Sequence, residues 1–176
     1  MIEKKCNKCT IKVFIPDDKD VCSECGKYRY KIINHKENEI TTFLKSHSIE
    51  FIHNKPVYLG ESSKRPDFLI DSKFGKIVLE CDEFQHKGYE NEENRMIIIY
   101  EDIQLSKDSE VLFIRYNPDY YKGLQYDIIN KLKYLYFLLD HFMKLDTLNI
   151  RLGVLYLFYD GFDGNTLLKN IVIDKK

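Results

Sequence analysis

The sequence has almost no net charge. Its 27 Lys and Arg against 28 Asp and Glu leave a formal charge of −1. That balance excludes a generally basic coat for nucleic acid but leaves room for a local basic patch. A long apolar run is also missing: the most apolar stretch, LYFLLDHFMKL, is interrupted by charge and too short to cross a bilayer. The polar start MIEKKCNKC contains no apolar segment, so no secretory leader and no membrane partner are expected. There is no internal repeat and no low-complexity tract. A soluble, intracellular protein is expected. What is present suffices for a core: 176 residues, 44% of them apolar, make one compact domain or one domain with a small appendage.

Four of the five cysteines crowd into the first 25 residues. Cys6, Cys9, Cys22 and Cys25 form two C-x-x-C pairs, and each pair can chelate one edge of a tetrahedron. Disulfides would need an oxidising compartment, to which nothing points. A redox C-x-x-C would need a strand–helix unit around it. Residues 1–30 are therefore expected to be a zinc-ribbon or knuckle segment holding structural Zn²⁺, and residues 31–176 a separate domain. Cys81, alone in an apolar strand, reads as a buried thiol.

Beyond the basic, aromatic connector KYRYKIINHK, periodicity predicts the following elements. ENEITTFLKSH (37–47) has Ile40, Phe43 and Leu44 at helical spacing. A strand follows at 49–59, then two strands, DFLID and KIVLECD, joined by the turn SKFG. Residues 91–106 suit a helix, VLFIRYN (111–117) an apolar strand stopped by Pro118. A long amphipathic helix over about 122–145 carries Leu124, Ile128, Leu132, Leu135, Leu139 and Phe142 on one stripe, leaving Lys131, Lys133 and Lys144 for solvent. LGVLYLFYD is a last strand. The fold class is α/β, a mixed central sheet flanked by helices.

The hairpin RPDFLIDSKFGKIVLECDEFQH concentrates acid. With SKFG as the turn, Asp71 faces Lys76, Ile70 faces Ile77 and Asp67 faces Glu80. Glu80 and Asp82 then share a face with Asp67, where like charges destabilise the pairing unless a cation joins them. Phe68, Ile70, Ile77, Leu79 and Cys81 point to the opposite face. One face is expected to be core and the other a site. Arg95, amid ENEENRM, is expected to pair with glutamates of its own helix.

Pro66-Asp67 followed by Glu80-Cys81-Asp82 resembles the PD-(D/E)xK restriction-endonuclease-like superfamily. More narrowly, RPDFLID…IVLECDEFQH is similar to its very-short-patch-repair (Vsr-like) group and to related proteins of large DNA viruses, which RYNPDYY at 115–121 also resembles. The resemblance implies an αβββαβ core and a metal-dependent DNA endonuclease acting in repair, recombination or restriction. It implies Mg²⁺ or Mn²⁺ on Asp67, Glu80 and Asp82, with Glu39 as the acid on the first helix and Gln85 and His86 as polar positions beyond the strand. One departure is plain: Asp82 stands where the superfamily has lysine, and Lys87 lies beyond the strand. The alternative is therefore a nuclease-fold module that binds nucleic acid without cutting it, within a viral transcription or repair complex. His86 is the candidate proton carrier, and Lys64, Arg65 and Lys87 the candidate phosphate contacts. DNA is the expected partner, a homodimer or larger complex a further expectation, and the cytoplasm, a virus factory or a virion the expected location.

Overall fold

The computed structural model describes residues 2–10, 12–15, 19–22, 25, 35–57, 61–87, 91–165 and 168–171. Most of the connector KYRYKIINHK lies outside the described residues. The chain divides into two compact units, Met1–Asn34 and His35–Lys176.

The first unit contains a hairpin in which β1 (Ile2–Lys5) pairs antiparallel with β2 (Lys12–Ile15). Cys6, Ile15 and Cys22 make its small buried cluster.

The second unit is a six-stranded mixed sheet between helices. Its elements are α1 (His35–Ser46), β3 (Ile52–His53), β4 (Phe68–Asp71), β5 (Gly75–Cys81), α2 (Glu92–Ser106), β6 (Glu110–Tyr116), α3 (Ile128–Lys144), β7 (Leu152–Leu157) and β8 (Lys169–Asn170). Strands lie in sequence order, with β5, β6 and β7 parallel and the other pairings antiparallel. The SKFG turn sets the predicted register: Phe68 opposes Leu79, Ile70 opposes Ile77 and Asp71 opposes Lys76. Gly75 closes this turn with φ +153°, and a Cβ there would sit 2.3 Å from the Glu110 carbonyl oxygen.

Both faces of the sheet are core, which corrects the expectation that one would be left as a site. On one, Phe68, Ile77, Leu79, Leu112 and Ile114 pack with Ile40 and Leu44 of α1 and Leu135 and Leu139 of α3. On the other, Val78, Val111, Phe113 and Val154 meet Met96, Ile99 and Ile103 of α2. Strands covered on both faces read as near-continuous apolar runs, as VLFI does. Of the predicted strand at 49–59, Ile52–His53 is strand and the rest of 49–57 is not, while 58–59 lie outside the described residues; α3 begins at Ile128, where Asp127 accepts the Asn130 N–H (2.8 Å) as its cap.

Lys131 corrects the assignment of α3's polar face. It is buried, donates to the carbonyls of Asn117 (3.2 Å), Pro118 (3.2 Å) and Asp119 (2.5 Å), and lies over the Tyr121 and Phe158 rings. Burial lowers its pKa to about 8. A buried ammonium surrounded by carbonyls ties α3 to the turn after β6. Among the described residues no helix is long and apolar enough to cross a membrane.

Candidate functional site

In the first unit the turn after β1 folds Cys9 back beside Cys6, with Thr10 N–H donating to the Cys6 carbonyl and Asn7 N–H to the Asp20 carbonyl, both 2.9 Å. Cys22 N–H donates to Cys6 Sγ (3.2 Å). The sulfurs of Cys6, Cys9, Cys22 and Cys25 all lie within 4.8 Å of one another, and none is in a disulfide. Cys9 Sγ and Cys22 Sγ are 3.8 Å apart. Zn–S bonds of about 2.3 Å give a tetrahedral edge of about 3.8 Å, so the spacing suits such an ion. The N–H groups of Cys9, Cys22 and Lys8 pull the Cys6 thiol down to about 6, while neighbouring thiols, Cys22 foremost, push Cys25 up to about 12. Four sulfurs this close cannot all ionise without a cation. The quartet can bind a metal such as zinc.

In the second unit the acidic residues gather at the carboxyl ends of β5 and β6, where open α/β sheets present their loops. They form two clusters rather than one trio. In the first, Asp67 lies one residue before β4, in line with Glu80, and its Oδ2 accepts the Cys81 N–H (2.8 Å). Burial raises Asp67 to about 6, with the Glu37 charge adding to it against the Cys81 N–H and Arg95. Glu80 is buried and raised to about 8, first by burial and then by Asp67, although Arg95 Nη1 donates to its Oε1 (2.7 Å). Arg95 thus reaches across to β5 instead of pairing along its own helix; its Nη2 donates to the Arg65 carbonyl (2.8 Å).

On α1 it is Glu37, rather than the expected Glu39, whose charge bears on Asp67. Glu37 is buried on the stripe of Ile40 and Leu44 and lies 2.5 Å from His53 Nε2, whose ring stacks on Phe68. Glu39 is exposed. The signal was in the sequence: 37, 40 and 44 are one helical face, and 39 is opposite.

Asp82 belongs to the second cluster. Arg115 donates to both its oxygens, through Nη2 to Oδ1 at 2.9 Å and through Nε to Oδ2, where the Tyr159 hydroxyl also donates. Arg115 Nη2 donates to Glu92 as well. His86 Nδ1 lies 3.2 Å from Asp82 Oδ1 and 3.4 Å from Glu92 Oε2. Burial would lower Arg115, but Asp82 more than offsets it and the guanidinium is held charged. Asp82, His86 and Glu92 bring ligand atoms within 4.8 Å of one another, whereas Asp67, Glu80 and Asp82 make no such group among the described residues. With a buried guanidinium on both its oxygens, Asp82 is committed to an ion pair. Arg115 is the residue the sequence reading missed. A charge inside VLFIRYN must be paired when buried, and the parallel register sets Arg115 beside Glu80.

The segment from Asp82 to His86 is strained. Phe84, Gln85 and His86 have φ of 54°, 62° and 49°, three consecutive left-handed residues that cost roughly 1–2 kcal/mol each. Clamps hold the turn. Phe84 N–H donates to Asp119 Oδ2 (2.9 Å). Gln85 Nε2 donates to Asp160 Oδ1 (3.0 Å) and its Oε1 accepts the Asp160 N–H (2.9 Å). Lys87 Nζ lies 2.6 Å from Asp160 Oδ2. Gln85, expected at the site, and Lys87, expected on phosphate, are bonded to Asp160, and Lys87, the Lys122 N–H and Gln85 together hold its carboxyl well below the usual range. Strain of this kind persists where the surroundings enforce it, and the clamped turn carries His86.

Asp102 of α2, also unforeseen, accepts the N–H groups of Glu61 (2.9 Å) and Ser62 (3.1 Å) and so anchors the loop leading to Asp67. Lys64 and Arg65 on that loop have exposed side chains. Lys64, His86, Asn91, Asn94 and Arg95 line a cleft of about 570 Å³. No family model, curated protein or solved structure matches this chain.

Proposed function

We propose that the unit His35–Lys176 is a metal-dependent DNA endonuclease on a restriction-endonuclease-like core, with the cysteine quartet holding a structural zinc that helps to grip the substrate. The order α1, β3, β4, β5, α2, β6 supports the core. The observation that carries the reading is the Asp67–Glu80 pair, a half-buried carboxyl just before β4 in line with a buried one on β5, with pKa values raised to about 6 and 8. Such a pair is costly to keep ionised and is the arrangement a divalent cation relieves.

Asp67 and Glu80 are the residues that would hold Mg²⁺ or Mn²⁺, a hard cation that takes one or two carboxylates and keeps several waters. Bound there, it would polarise a phosphoryl oxygen and acidify a bound water. The chain's own residues supply the rest. Arg115 fixes Asp82 and Glu92, these orient the His86 ring through Nδ1, and His86 moves a proton at the cleft. Lys64 and Arg65, exposed beside Asp67, meet phosphate.

The commitment of Asp82 to Arg115, together with the missing lysine, favours a second reading, a DNA-binding module that does not cut. The test is cleavage of supercoiled plasmid and of mismatched or branched DNA with Mg²⁺ or Mn²⁺, beside the double variant Asp67→Asn, Glu80→Gln. Cleavage that requires metal and disappears in the variant is the expected result. Equal inertness of both proteins, with DNA still shifted in a gel, would establish the binding module instead.

A further inference from the structure

We propose that Arg95 is a built-in counter-ion for Glu80. When a divalent cation takes Glu80, the guanidinium turns into the adjoining cleft and binds a phosphate of the substrate. The proposal rests on Asp67 and Glu80 being the metal ligands.

The geometry separates Arg95 from an ordinary structural arginine. Its two bonds are single, to one oxygen of Glu80 (2.7 Å) and to the carbonyl of Arg65 (2.8 Å). The Glu80 side chain is 3% exposed, whereas that of Arg95 is 26% exposed. One partner is fixed, and the other sits at the edge of a cavity. Arg115 is the contrast: 2% exposed and bound to both oxygens of Asp82, it has nowhere to go. Arg95 has the cleft of about 570 Å³ that it lines with Lys64. The acid on that wall, Glu92, shares the Arg115 guanidinium with Asp82, and Lys64 sets a positive charge on the same wall.

Two cations cannot share Glu80 without cost, because a divalent ion on the carboxylate repels a guanidinium a few ångströms away. Phosphate is the group that best receives the displaced fork, since guanidinium matches its oxygens bidentately and a neighbouring ammonium adds a point charge. Metal loading and phosphate binding are thereby linked through one side chain.

The test uses the full, zinc-loaded chain. Mn²⁺ binding is titrated calorimetrically for the wild type, Arg95→Gln, Arg95→Lys and Glu80→Gln. Removing the competing charge should tighten Mn²⁺ binding on the order of tenfold in Arg95→Gln, the size a single neighbouring charge has on a carboxylate's proton affinity. Arg95→Lys, with a shorter reach to Glu80, should tighten it by a smaller factor and carries the test should Arg95→Gln fail to fold. A purely structural arginine predicts the opposite sign. DNA affinity is then followed against salt, with Ca²⁺ and with no divalent ion added. With Ca²⁺, the slope of log K against log salt should be shallower by about one in Arg95→Gln than in wild type, and without it the slopes should agree. Unchanged or weaker Mn²⁺ binding in both arginine variants, with normal binding in wild type, overturns the counter-ion role and leaves the metal reading standing. Equal slopes under both conditions overturn the phosphate role. No Mn²⁺ binding by wild type or either arginine variant overturns the metal reading and this proposal with it.

Discussion

Two carboxylates, Glu80 at the end of β5 and Asp82 two residues on, share one side of the chain, and the fold treats them in opposite ways. Asp82 receives a bidentate, fully buried guanidinium and a tyrosine hydroxyl. Glu80 receives one bond from an arginine only 26% exposed and faces another acid, and its pKa is raised to about 8. Burial alone does not distinguish a ligand from a structural ion pair, since both acids are buried. Compensation does: a satisfied charge is architecture, and an under-compensated one is available to a cation.

The largest effect should come from breaking the satisfied pair. Arg115→Met leaves Asp82 buried and uncompensated, with Glu92 also stripped of its donor, and should cost about 3–5 kcal/mol in urea unfolding. Replacing both members, Asp82→Leu with Arg115→Met, should recover most of that loss, because a buried pair is often no more stable than a packed apolar one. If the single variant lost less than about 1 kcal/mol, Asp82 would be reached by water and again open to metal.

The under-compensated acid should respond in the opposite sense. Glu80 binds its proton more tightly folded than unfolded, its pKa rising from 4.5 to about 8. Without divalent ions, its contribution therefore weakens stability as pH rises from 4.5 to 8. Glu80→Gln removes that loss, so it should be more stable than wild type at pH 8, on the order of a few kcal/mol, and equal to it near pH 4.5. Added Mn²⁺ should raise the wild-type melting temperature more at pH 8 than at pH 6 and leave Glu80→Gln unmoved. A variant less stable than wild type at pH 8 would make the Arg95 contact a structural bond and the two clusters alike.

The sequence made the backbone of this comparison legible and its electrostatics illegible. Turn length and alternation determine register, so the opposition of Asp67 to Glu80 and the apolar alternation of Phe68, Ile70, Ile77 and Leu79 can be read from the letters. Side-chain pairing across parallel strands depends on how far β6 advances along β5, which no local pattern encodes, and so Arg115 stays hidden. The same holds for Lys131, which the helical stripe assigns to solvent and tertiary packing turns onto three carbonyls. Gln85 and Lys87 look like site residues because they adjoin the strand. Their partner, Asp160, is 73 residues or more away in the chain.

The finest distinction lies on α1, between two glutamates one residue apart. Glu37 is buried against His53, and its charge helps to raise Asp67; Glu39 is exposed. Glu37→Gln keeps an acceptor for His53 and removes the repulsion, so Asp67 should ionise at lower pH and the onset of Mn²⁺ binding should move to lower pH with it. The stability change should be small, about 1 kcal/mol or less, the scale of one hydrogen bond. Glu39→Gln should alter neither property, staying within about 0.5 kcal/mol in urea unfolding as surface substitutions do. Titrating Mn²⁺ into both variants between pH 5 and 8 separates them. A shift in Glu39→Gln and none in Glu37→Gln would mean that the acid serving the site comes from the outer face of α1, and that Asp67 is raised by burial alone.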